Sequence, residues 1–238
     1  MEYIDFNGKS SNMKTITINQ PAGVGDIMFL EPIFRMLSKT RHVVVPVVDQ
    51  YMWIQKHIPY VEFRPYRQEF ENIPQEFTDD YLPFRFANPI LRGYDLHDWH
   101  DMENCMLDKY RIMGLPETMW MDLKLVRDHE NEQRLFELLG SPENFVLVNE
   151  LSRVGSISIA PETDLQVIKM REIEGFSVVD WCLMMERATE NHHVQTSTLY
   201  PLHMLGVDAY IYPKPDVDGM RGILDLLAMT KMKAGVPS

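Results

Sequence analysis

The sequence predicts an α/β protein built from two lobes. Three observations carry that prediction: a strand–glycine turn–helix–strand unit over residues 15–48, a second buried-strand run at 145–149, and a length of 238 residues. Such a length suits one large domain or two lobes of about 120 residues each, with ample chain for a buried core.

The first dozen residues are polar and read as a loose arm, with Phe6 available to pack back. Thr15-Ile16-Thr17-Ile18-Asn19 alternates β-branched residues and reads as a strand. It enters a glycine-containing turn at 20–26, and from Ile27 the apolar positions 27, 30, 33, 34 and 37 recur at helical spacing. Pro32 falls early in that helix, where a missing N–H matters least. Residues 43–48 are almost wholly apolar, as expected of a parallel strand buried on both faces. With a short helix over 52–58, this is a βαβ unit whose crossover should be right-handed.

Residues 59–95 mix proline with aromatic and charged side chains, which fits short edge strands or an ordered loop better than a long helix. A helix over 96–113 stops at Gly114-Leu115-Pro116, and another over 131–139 stops at Gly140-Ser141-Pro142. The second alternation starts with Phe145-Val146-Leu147-Val148-Asn149 and a polar turn. A strand at 165–169 follows, then a helix from Ser177 to about Thr189 with Asp180 in its first turn. A very short strand at 193–197, a helix at 199–205, a strand at 209–212 and a closing helix at 222–231 complete the chain.

Composition narrows the function classes. The chain carries 35 acidic and 23 basic residues, a formal charge of −12 that disfavours non-specific nucleic-acid binding through the whole surface. No apolar run reaches the roughly 20 residues of a membrane span, and the amino terminus has no secretory h-region. Two cysteines, Cys105 and Cys182, make no disulfide framework, so the expectation is a reduced, cytoplasmic protein without integral membrane association. Neither a P-loop nor a G-x-S-x-G elbow occurs, and Met28 takes the third glycine position of a dinucleotide fingerprint.

Several residues could carry chemistry. The turn containing Gly23 and Gly25 presents backbone N–H groups at the carboxyl edge of a parallel sheet, where ligands of α/β folds bind. Asp26 in that turn is a carboxylate placed for acid–base work, or else a helix N-cap. Ser152 and Arg153 follow the second lobe's first strand and suit a phosphate, or form a solvated turn. Thr196 and Ser197 either hold a ligand or cap a helix, and Glu174 either bonds a ribose hydroxyl or is a surface carboxylate. His97, His100 and Asp101 share a helical face at metal-ligand spacing, but no H-E-x-x-H or cysteine pair supports a metal, and acceptor contact for His97 or a plain amphipathic helix is the better expectation. Arg64, Arg67, Arg85 and Arg92 interleave with Phe63, Tyr66, Phe84 and Tyr94, a pattern that suits phosphate contact and stacking or is a loop of solvated arginines.

The stretch AGVGDIMFLEPIFRML resembles the amino-terminal signature of glycosyltransferase family 9, the heptosyltransferase-like enzymes, on Gly25, Asp26, Ile27, Met28, Pro32 and Arg35. Val194 to Tyr200 resembles the family's second signature at Thr196, while Gln195, Ser197 and Tyr200 stand where aspartate, glycine and histidine are usual. The resemblance implies a GT-B fold, two Rossmann-like lobes facing a central cleft. Residues 1–130 would form the acceptor-side lobe and 131–238 the nucleotide-sugar donor lobe. It further implies an inverting transfer needing neither metal nor cofactor beyond the nucleotide-diphosphate sugar. Asp26 would be general base, Ser152, Arg153, Glu174, Thr196 and Ser197 would be on the donor, and Gly23, Gly25, Arg64, Arg67, Arg92 and His97 on the acceptor. Members of that family are longer, so this compact chain suggests a phage source. Its acceptor would then be either a glycan or a modified phage DNA base. The alternative is a non-catalytic nucleotide or nucleotide-sugar binding module of the same fold; an epimerase-like relative is a third reading.

Overall fold

A computed structural model describes residues 3–4, 10–11, 13–20, 23–67, 78–84, 105–152, 157–212, 230 and 232–234. Residues 96–104 of the helix expected over 96–113, residues 222–229 and 231 of the one expected over 222–231, and the arginines 85, 92 and 153 lie outside the described residues.

Two parallel sheets organise the chain. Beyond a small antiparallel pair, β1 (Tyr3–Ile4) with β2 (Ser10–Ser11), the first sheet joins β3 (Thr15–Ile18), β4 (His42–Val47), β5 (Glu62–Pro65) and β6 (Tyr81–Leu82) in the order β5-β4-β3-β6. The second joins β7 (Phe145–Asn149), β8 (Gln166–Lys169), β9 (Glu190–Val194), β10 (Tyr210–Tyr212) and β11 (Lys233–Ala234) in the order β11-β10-β9-β7-β8. Every neighbouring pair in both sheets is parallel. The apolar runs at 43–47 and 145–148 sit on interior strands, covered on both faces as their composition requires. β9 starts three residues ahead of the strand expected at 193–197, with the polar Asn191, His192 and His193 buried in the sheet.

The helix expected from Ile27 is two helices, α1 (Val24–Phe29) and α2 (Glu31–Leu37), divided at Leu30. Pro32 is the reason: it has no N–H to give the carbonyl four residues back, so the first helix ends ahead of it. The neighbouring carbonyl, that of Phe29, accepts from the Tyr110 hydroxyl at 2.5 Å. Tyr110 lies on α3 (Cys105–Ile112), which stops at Gly114 with φ +63°. The short helix after β4 is a 3₁₀ segment, Asp49–Lys56. A second such segment, Glu117–Asp122, leads into the extended stretch that connects the two sheets.

That stretch is tied down on the first-sheet side. The N–H of Lys124 donates to Glu31 Oε2 at 2.8 Å, and the N–H of Val126 donates to the His57 carbonyl at 2.9 Å. Glu31 is fully buried and also accepts from Arg35 Nε at 2.8 Å and from the Tyr60 hydroxyl. The chain then enters α4 (His129–Leu138), capped by Asp128, whose carboxylate accepts the Asn131 N–H at 3.0 Å. After β8, Ser177 and Asp180 form a reciprocal cap at the 3₁₀ turn Val179–Trp181, which continues as α5 (Cys182–Arg187). The last described helix, α6 (Leu199–Leu205), ends at Gly206 in the left-handed conformation.

The first hydrophobic core gathers Ile27, Phe29, Phe34 and Tyr110 around the first sheet. It also takes in Val179, Cys182 and Tyr200 from the second half of the chain. Each such fully buried large side chain contributes roughly 1.5–3 kcal/mol. The two sheets are therefore packed together along one side rather than joined by a bare linker. Among the described residues no helix is long and apolar enough to cross a membrane.

Candidate active site

The carboxyl ends of β3, β7 and β9 lead into the three turns that carry the candidate residues. After β3, Gly23 is the N-cap of α1 and Asp26 stands in its first turn. Asp26 is therefore not the cap, and its carboxylate makes no capping bond. That side chain is 29% exposed, and its Oδ1 lies 3.5 Å from Lys109 Nζ. Lys109 reaches it from α3 and is itself only 5% exposed.

Gly25 brings the halves together. A Cβ built there would lie 3.1 Å from Tyr200 Cε2, 3.4 Å from Ser197 Cα and 3.5 Å from Ser197 Cβ. The turn bearing Asp26 thus rests against the turn bearing Ser197, which no side chain at residue 25 would allow without displacement. Tyr200, at the position where the related signature has histidine, is buried against Phe29 in an edge-on contact of 6.1 Å.

Behind that contact lies a polar network. Asn149, the only polar residue of the FVLVN strand, is buried, and its Nδ2 donates to Thr196 Oγ1 at 3.0 Å and Thr198 Oγ1 at 3.3 Å. Its Oδ1 accepts the Leu151 N–H at 3.0 Å, so one side chain shapes both the 150–152 turn and the 196–198 turn. Ser152 sits half-buried at the end of that turn. Glu174 is exposed on the loop after β8, beside Gly175, whose carbonyl accepts from Asn131 Nδ2 at 3.3 Å.

The structure therefore brings the turn of Gly23, Gly25 and Asp26 against the turn of Ser197, and Asn149 joins the Leu151 N–H, next to Ser152, to Thr196. Arg64 is elsewhere, on β5 at the sheet edge, half-exposed and paired with Glu62 at 2.6 Å. Arg67 is exposed just beyond the end of that strand. Arg92, His97 and Arg153 fall outside the described residues. Two participants escape the sequence reading. Lys109 has a visible signal, since it shares the 106, 109, 110, 113 stripe with Met106, Tyr110 and Met113, so a charge lies on an apolar face. Asn149 is signalled by ending an otherwise apolar strand.

A second set of contacts joins the halves away from these turns. Lys56 Nζ lies 3.1 Å from Asp180 Oδ1, and His57 Nε2 lies 3.1 Å from Ser177 Oγ. His57 Nδ1 donates to the Val126 carbonyl at 2.8 Å. Burial lowers the His57 pKa despite that carbonyl and the nearby Asp180. Burial alone would raise the Asp180 carboxyl, but bonds from the Ser177 hydroxyl and N–H, with Asn131 and Lys56, outweigh it and hold it below its ordinary value.

In fold the chain is similar to solved glycosyltransferases. The glycosyl transferase family 9 structure from Veillonella parvula DSM 2008 matches with a TM-score of 0.52 at 12% identity, covering 89% of this chain and 81% of that one. The ADP-heptose lps heptosyltransferase II of E. coli matches with a TM-score of 0.53 at 11% identity, covering 93% of this chain and 90% of that one. No protein-family model matches the sequence, and no curated protein does. At these identities the likeness establishes the fold: a GT-B-like pair of α/β units, as the resemblance in the sequence implies.

Proposed function

We propose that the protein is a glycosyltransferase that moves a sugar from a nucleotide-diphosphate donor to an acceptor hydroxyl. The observation that carries this reading is the contact at Gly25, which sets the Asp26 turn of one parallel sheet against the Thr196–Ser197 turn of the other. A carboxylate at one carboxyl edge and hydroxyls with backbone N–H groups at the facing edge are the two halves such a reaction needs. The E. coli neighbour uses ADP-heptose by its name, which supports a nucleotide-sugar donor here.

In this reading Asp26 accepts the proton of the acceptor hydroxyl as its oxygen attacks the anomeric carbon. The bond from that carbon to the diphosphate breaks, and the electron pair leaves on the phosphate oxygen. Direct displacement inverts the anomeric centre. Ser152, Thr196 and Ser197, with Arg153, hold the diphosphate by hydrogen bonds and charge as negative charge develops on it. Glu174 bonds a ribose hydroxyl of the donor, Gly23 leaves the acceptor's approach to Asp26 free of a side chain, and Gly25 lets the Ser197 turn come close.

The acceptor is a glycan hydroxyl or a modified DNA base. Arg64, whose charge the DNA reading needs, is already paired with Glu62, which favours the glycan. The test is a thermal-shift screen of uridine-, guanosine-, cytidine- and adenosine-diphosphate sugars, followed by turnover with the donor that binds. Asp26→Asn should abolish turnover and keep the donor shift. A chain that binds a donor, with no turnover on any acceptor class, would instead be a nucleotide-sugar binding module.

A further inference from the structure

Among the described residues Lys109 is a buried ammonium with few polar contacts. The polar contacts of its Nζ among the described residues are Asp26 Oδ1 at 3.5 Å and Met106 Sδ at 3.2 Å. An ammonium taken out of water without a close partner is strongly unfavourable, so a lysine on an apolar helical stripe needs a reason to be there. Its stem packs along α3 beside Met106, and the charge it delivers ends at one oxygen of one carboxylate.

The other oxygen is free of bonds among the described residues. Asp26 Oδ2 faces Gly23, where a built Cβ would come within 3.5 Å of it. The two oxygens of Asp26 are thus in different surroundings: Oδ1 is turned to Lys109, and Oδ2 is turned to a residue without a side chain.

We infer that Lys109 is the positioning residue of Asp26, fixing the carboxylate through Oδ1 so that Oδ2 is presented to the acceptor hydroxyl. This rests on the reading of Asp26 as the general base. Lys109 exchanges no proton and touches no substrate; it sets the rotation of the carboxylate. A general base must meet the proton within hydrogen-bond reach, and a misplacement of about 1 Å is enough to lose on the order of a hundredfold in rate.

The test compares Lys109→Met, Lys109→Arg and Asp26→Asn. Methionine keeps length and apolar packing while removing the charge, so the chain should fold. Lys109→Met should lower kcat about ten- to a hundredfold and leave the donor KM unchanged, and Lys109→Arg should restore most of kcat. A wild-type kcat in Lys109→Met, beside an inactive Asp26→Asn, overturns the role of Lys109 and leaves the base intact. An active Asp26→Asn overturns the base itself, and the positioning role with it.

A second readout needs no turnover. Asp26→Asn should lower the melting temperature in the wild-type background, because it strands a buried ammonium, and leave it unchanged in the Lys109→Met background. Additive shifts in the two backgrounds would overturn the coupling whatever the activity shows.

Discussion

Gly25 and Tyr200 meet so closely that a Cβ on the glycine would stand 3.1 Å from the tyrosine ring edge. The residue is helical, so an added side chain meets no backbone strain; on propensity alone alanine would be better there by about 1 kcal/mol. Packing decides otherwise. Tyr200 is wedged against Phe29, and the next neighbour is the Ser197 backbone at 3.4 Å. Gly25→Val should therefore lose about 1–3 kcal/mol in urea denaturation. Combining it with Tyr200→Ala should give less than the sum of the two losses, and strict additivity would show that the halves do not meet there.

Asp180 is the second point where the halves hold each other. It is fully buried, accepts from Ser177 N at 2.6 Å and Ser177 Oγ at 2.7 Å, and pairs with Lys56 from the first half. Asp180→Ala should lower stability by about 1–3 kcal/mol, since it leaves the buried Ser177 N–H without its acceptor, while Lys56 keeps Asp128 at 3.7 Å. Because the folded pKa is depressed, this stabilisation is present above the unfolded carboxylate range and is lost as the pH falls through the folded value. Lys56→Met should be milder, its amine being partly exposed. Equal losses for the two variants in urea melts would mean that the ion pair, rather than the Ser177 cap, dominates.

The strands His42–Val47 and Phe145–Asn149 are legible in the sequence because both faces of an interior parallel strand demand apolar side chains, and Thr15–Ile18 is legible from its alternating β-branched residues. The Ser177–Asp180 cap is legible too, as a serine and an acid three residues apart. Lys56 with Asp180 is not, since 124 residues separate them and no local pattern encodes which turns the packing brings together. The division of the first helix is half-legible: Pro32 announces a break, but that the Phe29 carbonyl at the break takes its donor from Tyr110, far along the chain, is not. Candidate residues of the site follow the same rule. Asp26 and Thr196 stand in turns that directly follow strands, whereas Asn149 and Lys109 matter only through residues that folding sets beside them.

His193 predicts an acid-sensitive fold. It lies on β9, is fully buried, and neither ring nitrogen has a hydrogen-bond partner among the described residues. Burial, with the neighbouring His192, pushes its pKa down to about 3. Between pH 6.5 and 3 the unfolded chain binds a proton there and the folded chain does not, so stability falls steadily as the pH is lowered through that window. The loss is about 2 kcal/mol at pH 5. Urea midpoints measured from pH 7 to 4 should show the slope, and His193→Leu should remove most of it. The part that persists belongs to His57, also buried and also lowered, and towards pH 4 to carboxylates held low such as Asp180. An unchanged slope in His193→Leu would mean that the ring is not buried neutral.

The nature of the acceptor can be read from salt. A duplex bearing the acceptor base would be held by phosphate contacts, and each one lost changes the slope of log K against log salt by about 0.9. Arg64 and Arg67 are not equivalent in this respect. Arg64 already has Glu62 at 2.6 Å, a partner that a phosphate would have to displace, while Arg67 stands exposed just past the strand end. With DNA as acceptor, Arg67→Glu should flatten the dependence by close to that amount and Arg64→Glu by less, in anisotropy titrations between about 50 and 200 mM salt. If both variants keep the wild-type slope, these arginines touch no phosphate and the acceptor is a glycan. The overall charge of −12 sharpens the comparison, because little background attraction to DNA is expected from the rest of an acidic surface.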